Sequence, residues 1–346
     1  MEAPVRTSGR VRDWALRLLL LVVSSLIGLI TAEAAARVLY PISDGRDNVA
    51  LDGRPLQGFV EPGTVYKQIS NEYNALTTIT PEGYRAPAVE DNPDQVFLGD
   101  SFTFGWGLAD TETFPSLFCA ARHVSCANLG LPSSGTLKQV ERLEEFLTRL
   151  HWRPKVVKLF FFGMSTSFSA GNDFVDNYDR AIKDRTHGSA PAARTPAPIP
   201  QFAPGMAERI IGLQSILMRH FTLIRIAKYY AGPALKAMIV VDPGESRMVE
   251  ALEATRQSLA RLDALSRREG FAYEIYLIVP VQDLLRRSYE QTLRALNDVS
   301  PKAVVSTAAA LMDAPTRYYY SFDGHLNLAG SKRVADFLVA RDRGSP

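Results

Sequence analysis

A short apolar run with strand character, Val96-Phe97-Leu98, ends abruptly in Gly99-Asp100-Ser101, and Gly105 follows four residues after the serine. A second buried-type run, Val156 to Phe162, and a third, Tyr273 to Val279, have the length and apolar content of interior strands. Between the first two runs lie a helical pattern from Phe114 to Ala121 and a strand-like Val124 to Leu129. A strongly amphipathic segment then carries Leu137, Val140, Leu143, Leu147 and Leu150 on one helical face. Strand, helix, strand, helix, strand in that order argues for a parallel sheet with helices on its faces. Open sheets of this kind bind ligands beyond the carboxyl ends of their strands, which is where Ser101 falls.

The rhythm continues towards the carboxyl terminus. Helices are expected at Arg247 to Glu269 and Asp283 to Leu296, and a short strand at Ala303 to Ser306. A last helix spans Leu328 to Ala340, with Asn327 as its N-cap. Residues of about 175–245 interrupt the pattern as an insertion. Pro191 to Pro204 is rich in Pro and Ala, and Ile210 to Tyr230 is helical, apolar and interleaved with basic residues. That segment fits a cap, a helix on a membrane surface or an ordinary packed helix.

The amino terminus sets a compartment. Arg6, Arg10, Arg12 and Arg17 precede an uncharged run from Leu18 to Ala32, and positive charge before such a run holds its amino end in the cytoplasm. Trp14 to Ala36 is long enough to span a bilayer if Arg17 and Glu33 snorkel. The rival is a cleaved signal peptide, with Ala32-Glu33-Ala34 or Ala34-Ala35-Ala36 at the cleavage site. The expected location is the inner membrane, crossed once, with the catalytic domain in the periplasm; cleavage would release that domain into the periplasm. Three regions follow: 1–40 as cytoplasmic tip and anchor, 41–93 as a linker and irregular lead-in rich in Gly, Pro, Asn and Asp with short strand-like pieces such as Thr64-Val65-Tyr66, and 94–346 as the main domain.

A chain of 346 residues is long enough for one large domain or two modest ones. Its net charge of +2 carries no sign of a nucleic-acid partner. Two cysteines exclude a disulfide scaffold, and no CxxC points to a metal. Cys119 and Cys126 flank a helix-to-strand turn, either as a disulfide permitted outside the cytoplasm or as two buried thiols.

A serine at a strand end becomes a nucleophile only with a base and a group that fixes the base's tautomer. Of five histidines, only His325 lies in a strand-to-helix loop beside a carboxylate, Asp323. His123 and His151 sit at element ends, and His187 and His220 belong to the insertion.

Four stretches in order, Gly99-Asp100-Ser101, Asn128-Leu129-Gly130-Leu131-Pro132, Gly171-Asn172-Asp173 and Asp323-Gly324-His325, resemble the blocks of the SGNH (GDSL-type) hydrolase family. The resemblance covers about Gly83 to Ala340. It implies an α/β fold, three-layer α/β/α with a short parallel sheet of flavodoxin-like order, and ester cleavage through an acyl-serine. It also implies Ser101 as nucleophile, His325 as general base and Asp323 as its orienting acid. Oxyanion donors would be the backbone N–H groups of Ser101 and Ser133 and the side chain of Asn172.

Three departures accompany the resemblance. Ser133 stands where the family usually has glycine, with Gly130 or Gly135 as substitutes if the alignment slips. Gly163 to Ala170 intervene before the third block, so Ser165 competes with Asn172 for its position. The acid lies two residues before the histidine rather than three. No metal or organic cofactor is implied. The expected substrate is a small-molecule or glycan ester, O-acetyl esters included. Alternative readings are O-acetyl transfer to an envelope polysaccharide and a non-catalytic envelope binding protein.

Overall fold

The computed structural model describes residues 8–39, 48–53, 56, 58–70, 72–89, 91–163, 173–188, 221–224, 226, 244–321 and 323–343. The chain forms two compact units, one of residues 1–44 and 196–236, the other of 45–195 and 237–346.

In the first unit, α1 runs from Ser8 to Leu39. Its Asp13–Leu39 portion has a mean hydropathy of 2.2 and is long and apolar enough to cross a membrane. Its Leu, Ile and Val side chains are exposed. Glu33 accepts the backbone N–H groups of Thr222 and Leu223 at 2.8 and 3.0 Å, which gives those helix-end donors a partner. Thr222 opens a short helical stretch, 222–224, within the segment expected to be helical.

The second unit is built on five parallel strands: β4 (Gln95–Gly99), β5 (Cys126–Asn128), β6 (Val156–Phe162), β7 (Ala272–Ile278) and β8 (Val304–Ser306). They lie in the order β5-β4-β6-β7-β8. Counted within this sheet the order is 2-1-3-4-5, the flavodoxin-like arrangement, and its direction switches between β4 and β6. Helices α3 (Phe114–Arg122) and α10 (Leu328–Arg343) pack together; α4 (Thr136–Arg149), α5 (Asp173–Gly188) and α6 (Gly244–Glu269) form a second packed group. The α/β architecture with a short parallel sheet is therefore as expected.

Interior strands covered on both faces have no polar side to present, which explains the uniform apolar runs. Every residue of β4 is buried, as are the last six of β6. Across the sheet Phe97 stacks on Phe160, and Phe160 on Tyr276 at 4.9 Å between ring centres. The one basic residue in β6, Lys158, is buried but paired with its register neighbour Glu274 and, at 3.8 Å, with Asp342.

Two differences from the sequence reading stand out. The stretch expected as an irregular lead-in holds a three-stranded antiparallel sheet, β1 (Asn48–Ala50), β2 (Val65–Ile69) and β3 (Asn74–Thr78). Strands of three to five residues between turn-rich segments leave little periodicity to read, although β2 and β3 do alternate buried and exposed. The helix expected at Asp283 to Leu296 is two: α7 (Val281–Arg286) and α8 (Tyr289–Val299), and a short α9 (Ala308–Leu311) follows β8. Arg287 ends α7 in the left-handed region, with φ 56°, and the next helix starts afresh. Asn327 does cap α10, accepting the N–H of Gly330 at 3.1 Å.

Cys119 on α3 and Cys126 on β5 form a disulfide, with Cα atoms 6.1 Å apart. A cross-link across a seven-residue separation restricts the unfolded chain by about 2.5 kcal/mol. Reductant should therefore lower the unfolding free energy of the full chain by about 2–3 kcal/mol, read as a lower denaturant midpoint. A Cys119→Ser, Cys126→Ser variant should show no response to reductant, and an equal response from both proteins would refute the assignment.

Candidate active site

Ser101 is the first residue of α2 (Ser101–Phe104), immediately past the carboxyl end of β4. The strand enters this helix without a loop, and Gly99 permits it: a Cβ there would lie 2.1 Å from Thr103 Oγ1 and 2.9 Å from the Phe160 carbonyl oxygen. Asp100 caps the helix by accepting the N–H of Phe102 at 2.9 Å. Gly105 closes the turn in a left-handed conformation, φ 82°.

The next turn is gripped by a buried cation. Arg85, with no exposed surface, donates to the Phe104 and Gly105 carbonyls at 2.8 Å each, to the Leu108 carbonyl, and to Asp110 at 3.2 Å. Its guanidinium also stacks 4.7 Å from the Phe104 ring centre. Burial pulls its pKa down, and the Asp110 carboxylate opposes that shift. No lysine can serve these acceptors together, because an ammonium is a point donor and the guanidinium a planar fork. Arg85→Lys should lower unfolding free energy by about 2 kcal/mol, read as a shifted denaturant midpoint at constant slope. An unshifted midpoint would mean that other donors reach these carbonyls.

The third element is the loop before α10. Tyr320 N–H donates to the His325 carbonyl at 2.8 Å and Gly324 N–H to the Tyr320 carbonyl at 3.1 Å, which folds 320–325 into a tight turn. This turn carries His325 to Ser101: Nε2 and Oγ are 2.7 Å apart. His325 Nδ1 is hydrogen-bonded to Asp323 Oδ1. An ionised carboxylate only accepts, so Nδ1 carries the proton, and Nε2 is the acceptor for the Ser101 hydroxyl. The imidazole rests against Phe102 at 4.8 Å and Trp106 at 6.1 Å between ring centres. Burial pushes the Asp323 carboxyl up, but hydrogen bonds and charge from His325 and a hydrogen bond from Tyr73 hold it below its ordinary value.

The second-block loop runs alongside. Its backbone donors are largely spent: Leu129 N–H goes to the Phe97 carbonyl, Gly130 N–H to Asn128 Oδ1 and Leu131 N–H to the Gly99 carbonyl. Gly130 is thereby removed as an oxyanion donor; its place is a close approach, where a Cβ would lie 2.3 Å from Phe104 N. Pro132 has no N–H. The next groups along the loop are those of Ser133, Ser134 and Gly135. Ser133 adopts φ 58° and is exposed, so this serine does take the left-handed backbone that glycine favours. Asn172 and its competitor Ser165 lie outside the described residues. His187's side chain and His220 do as well, while His123 and His151 are exposed at helix ends. Among the described residues, no cluster of three or more His, Cys, Asp or Glu is placed to hold a metal.

Beneath the site lie two further buried carboxyls. Burial raises Asp100 to about 6 against the N–H of Phe102, the charge of His325 and the N–H of its own backbone. Asp173, bonded to Thr136 Oγ1 at 3.0 Å, is pushed well up by burial and then by Asp100. The folded Asp100 holds its proton to higher pH than the unfolded chain, so stability falls as pH rises from ~4 towards that value. Asp100→Asn keeps a capping oxygen and removes the charge. It should match wild type below pH ~4 and exceed it above pH ~7 by up to roughly 3 kcal/mol in thermal or denaturant unfolding. Parallel curves for the two proteins would contradict this.

What the sequence did not reveal is the contribution of residues before β4. Besides Arg85, Tyr73 and Glu72 at the turn between β2 and β3 reach the acid loop: Tyr73 OH donates to Asp323 Oδ2 at 2.9 Å, and Glu72 accepts the Asp323 N–H at 2.9 Å. No local motif marks them.

No protein-family profile matches the chain, and no curated protein matches it. The solved structures it resembles include GDSL-type lipases and carbohydrate esterases. A protein of Desulfitobacterium hafniense DCB-2 assigned to the G-D-S-L lipolytic family is 15% identical, covering 72% of this chain and 99% of that one, with a TM-score of 0.37. A catalytic mutant of Axe2, an acetylxylan esterase from Geobacillus stearothermophilus, is 14% identical over 75% of this chain and 97% of its own, with a TM-score of 0.36. A carbohydrate esterase family 2 enzyme with its carbohydrate-binding domain, from Myceliophthora fergusii, is 11% identical, with coverage of 85% and 84% and a TM-score of 0.34. The chemical reading therefore rests on this chain's own side chains.

Proposed function

We propose that the chain is a serine esterase that cleaves an ester through an acyl-Ser101 intermediate. One observation carries this reading: Ser101 Oγ lies 2.7 Å from His325 Nε2 while His325 Nδ1 is held by Asp323. In the proposed mechanism, Oγ bonds to the acyl carbon as its proton passes to Nε2. The imidazolium then carries one N–H on Asp323, whose negative charge stabilises it. The tetrahedral oxyanion is received by the backbone N–H groups of Ser101 and Ser133, with the Asn172 side chain as the third donor. Its collapse breaks the bond to the leaving alcohol, which takes the proton from Nε2. Water then attacks the acyl-enzyme, again giving its proton to Nε2, and the released acid leaves Ser101 Oγ protonated.

The fold supports the reading, because Ser101 stands at the carboxyl end of the strand beside the switch point, where open α/β sheets place their ligands. The apolar α1 and the arginines in front of it support a single membrane crossing with the site on the far side from the cytoplasm. The Cys119–Cys126 disulfide agrees with an oxidising compartment.

Labelling by a fluorophosphonate probe tests the assignment. Wild type should be labelled at Ser101 and should hydrolyse a short-chain aryl ester. Ser101→Ala should lose both, and His325→Ala should retain at most about one part in a thousand of the turnover. Labelling that persists at another residue of Ser101→Ala would sink the proposal. Acetyl groups recovered on a glycan acceptor, with no matching release of free acetate, would assign the same acyl-enzyme to transfer instead of hydrolysis.

A further inference from the structure

The acid of the site has a second oxygen, and its partner comes from a part of the chain that the reaction does not otherwise use. Asp323 Oδ1 serves His325, while Oδ2 accepts the hydroxyl of Tyr73 at 2.9 Å. That hydroxyl in turn lies 3.0 Å from Trp106 Nε1. The direction of this chain is determined by the chemistry of its members. An indole N–H only donates, so Tyr73 oxygen accepts from Trp106 and must give its single proton to Asp323. Tyr73 is buried, and burial together with the Asp323 charge pushes its pKa up, so the phenol keeps that proton.

Trp106 closes the path. Its backbone N–H donates to the Ser101 carbonyl at 3.0 Å, so the contacts run from Ser101 to His325, Asp323, Tyr73 and Trp106 and back to Ser101. The turn that supplies Tyr73 is itself held. Ser70 Oγ accepts the N–H groups of Glu72 and Tyr73, and Ser70 N–H donates to the Tyr73 carbonyl at 2.8 Å. Glu72 accepts N–H groups of both Ser321 and Asp323. Gln68, on β2, accepts the Gly107 N–H at 2.7 Å, and Tyr320, packed 4.9 Å from the Tyr73 ring, donates to the Gly107 carbonyl.

We propose that Tyr73 is a positioning residue for catalysis: its hydroxyl, oriented by Trp106, fixes the carboxylate of Asp323 so that Oδ1 stays aimed at His325. The inference rests on the esterase reading above. A carboxylate with one oxygen unheld rotates about its Cβ–Cγ bond, and the imidazole it orients loosens with it; small displacements of catalytic groups cost rate steeply.

The test uses the full chain purified in detergent, with a short-chain aryl ester for turnover and a fluorophosphonate for the rate of Ser101 labelling. Tyr73→Phe removes the hydroxyl and leaves the ring on Tyr320. It should lower kcat and the labelling rate about tenfold, with KM within twofold of wild type. Because Tyr73 acts through Asp323, the same substitution in an Asp323→Asn background should change the labelling rate less than twofold. Trp106→Phe, which removes the orienting N–H, should give a smaller loss that also vanishes in that background. Should Tyr73→Phe fold poorly, the Trp106→Phe pair decides alone. An unchanged kcat in Tyr73→Phe, or an equal fold-loss with and without Asp323, would overturn the inference while leaving the esterase intact. A wild type that neither turns over nor is labelled at Ser101 would overturn both.

Discussion

The chain around Ser101 is organised by the burial of Arg85. The chain after Ser101 makes one turn of helix and then folds back under the site, so the carbonyls of Phe104, Gly105 and Leu108 point inward with no helix to receive them. Buried backbone acceptors must find donors; the Gly105 carbonyl also takes the Leu108 N–H at 3.1 Å, but the planar guanidinium of the fully buried Arg85 side chain serves all three. The Arg85 backbone adds a second tie, its N–H reaching the Asn128 carbonyl at 3.2 Å beside the edge strand β5. One residue thus joins the nucleophile turn, the start of the second-block loop and the segment leading from β3 to β4. Charge alone is not the reason for its presence, since desolvation works against it; the geometry of its donors is.

This explains why the small antiparallel sheet belongs to the same compact unit as Ser101 and His325. Tyr66 and Ile79 pack with Phe104 in a cluster of their own, apart from the main core. Through Gln68, Glu72, Tyr73 and Arg85 the same segment touches the loop after α2 and the loop before α10. The turn that follows Ser101 and the loop that carries His325 lie far apart in the chain, and the segment before β4 contacts both.

Much of the central architecture was legible because it follows from simple patterns. Val156 to Phe162 reads as an interior strand because both faces are covered, and the leucines of α4 repeat at helical spacing because one face is. The helix break at Arg287 was not legible: it depends on a left-handed residue for which the local sequence gives no glycine. The sheet of β1 to β3 escaped for a related reason, since strands of five residues or fewer carry too little alternation to rise above the surrounding turn residues. At the site, Ser101, Asp323 and His325 were readable because each lies in a short block beside a strand end. Tyr73 was not, because its partner is 250 residues away in the chain and neither neighbour announces the contact. Side chains that act on other side chains leave no spacing to find.

The carboxyls near Ser101 show how environment divides one residue type into different roles. Asp100 is within electrostatic reach of His325, as Asp323 is, yet the two are driven in opposite directions. Asp100 is buried and receives the N–H groups of Phe102 and of its own backbone, too little to offset its burial. Asp323 is gathered by His325, by the Tyr73 hydroxyl and by its own turn, which together outweigh the same penalty. Asp323, held below its ordinary value, stays charged throughout the neutral range and can balance an imidazolium, whereas Asp100, raised to about 6, begins to take up a proton at the lower edge of that range. Donor count, set by the loop before α10 and the turn between β2 and β3, therefore decides which carboxyl stays ionised beside His325, and pushing pKa values apart in this way is how neighbouring carboxyls acquire separate tasks. Proximity to Ser101 in sequence points to Asp100; the arrangement of donors in space points to Asp323.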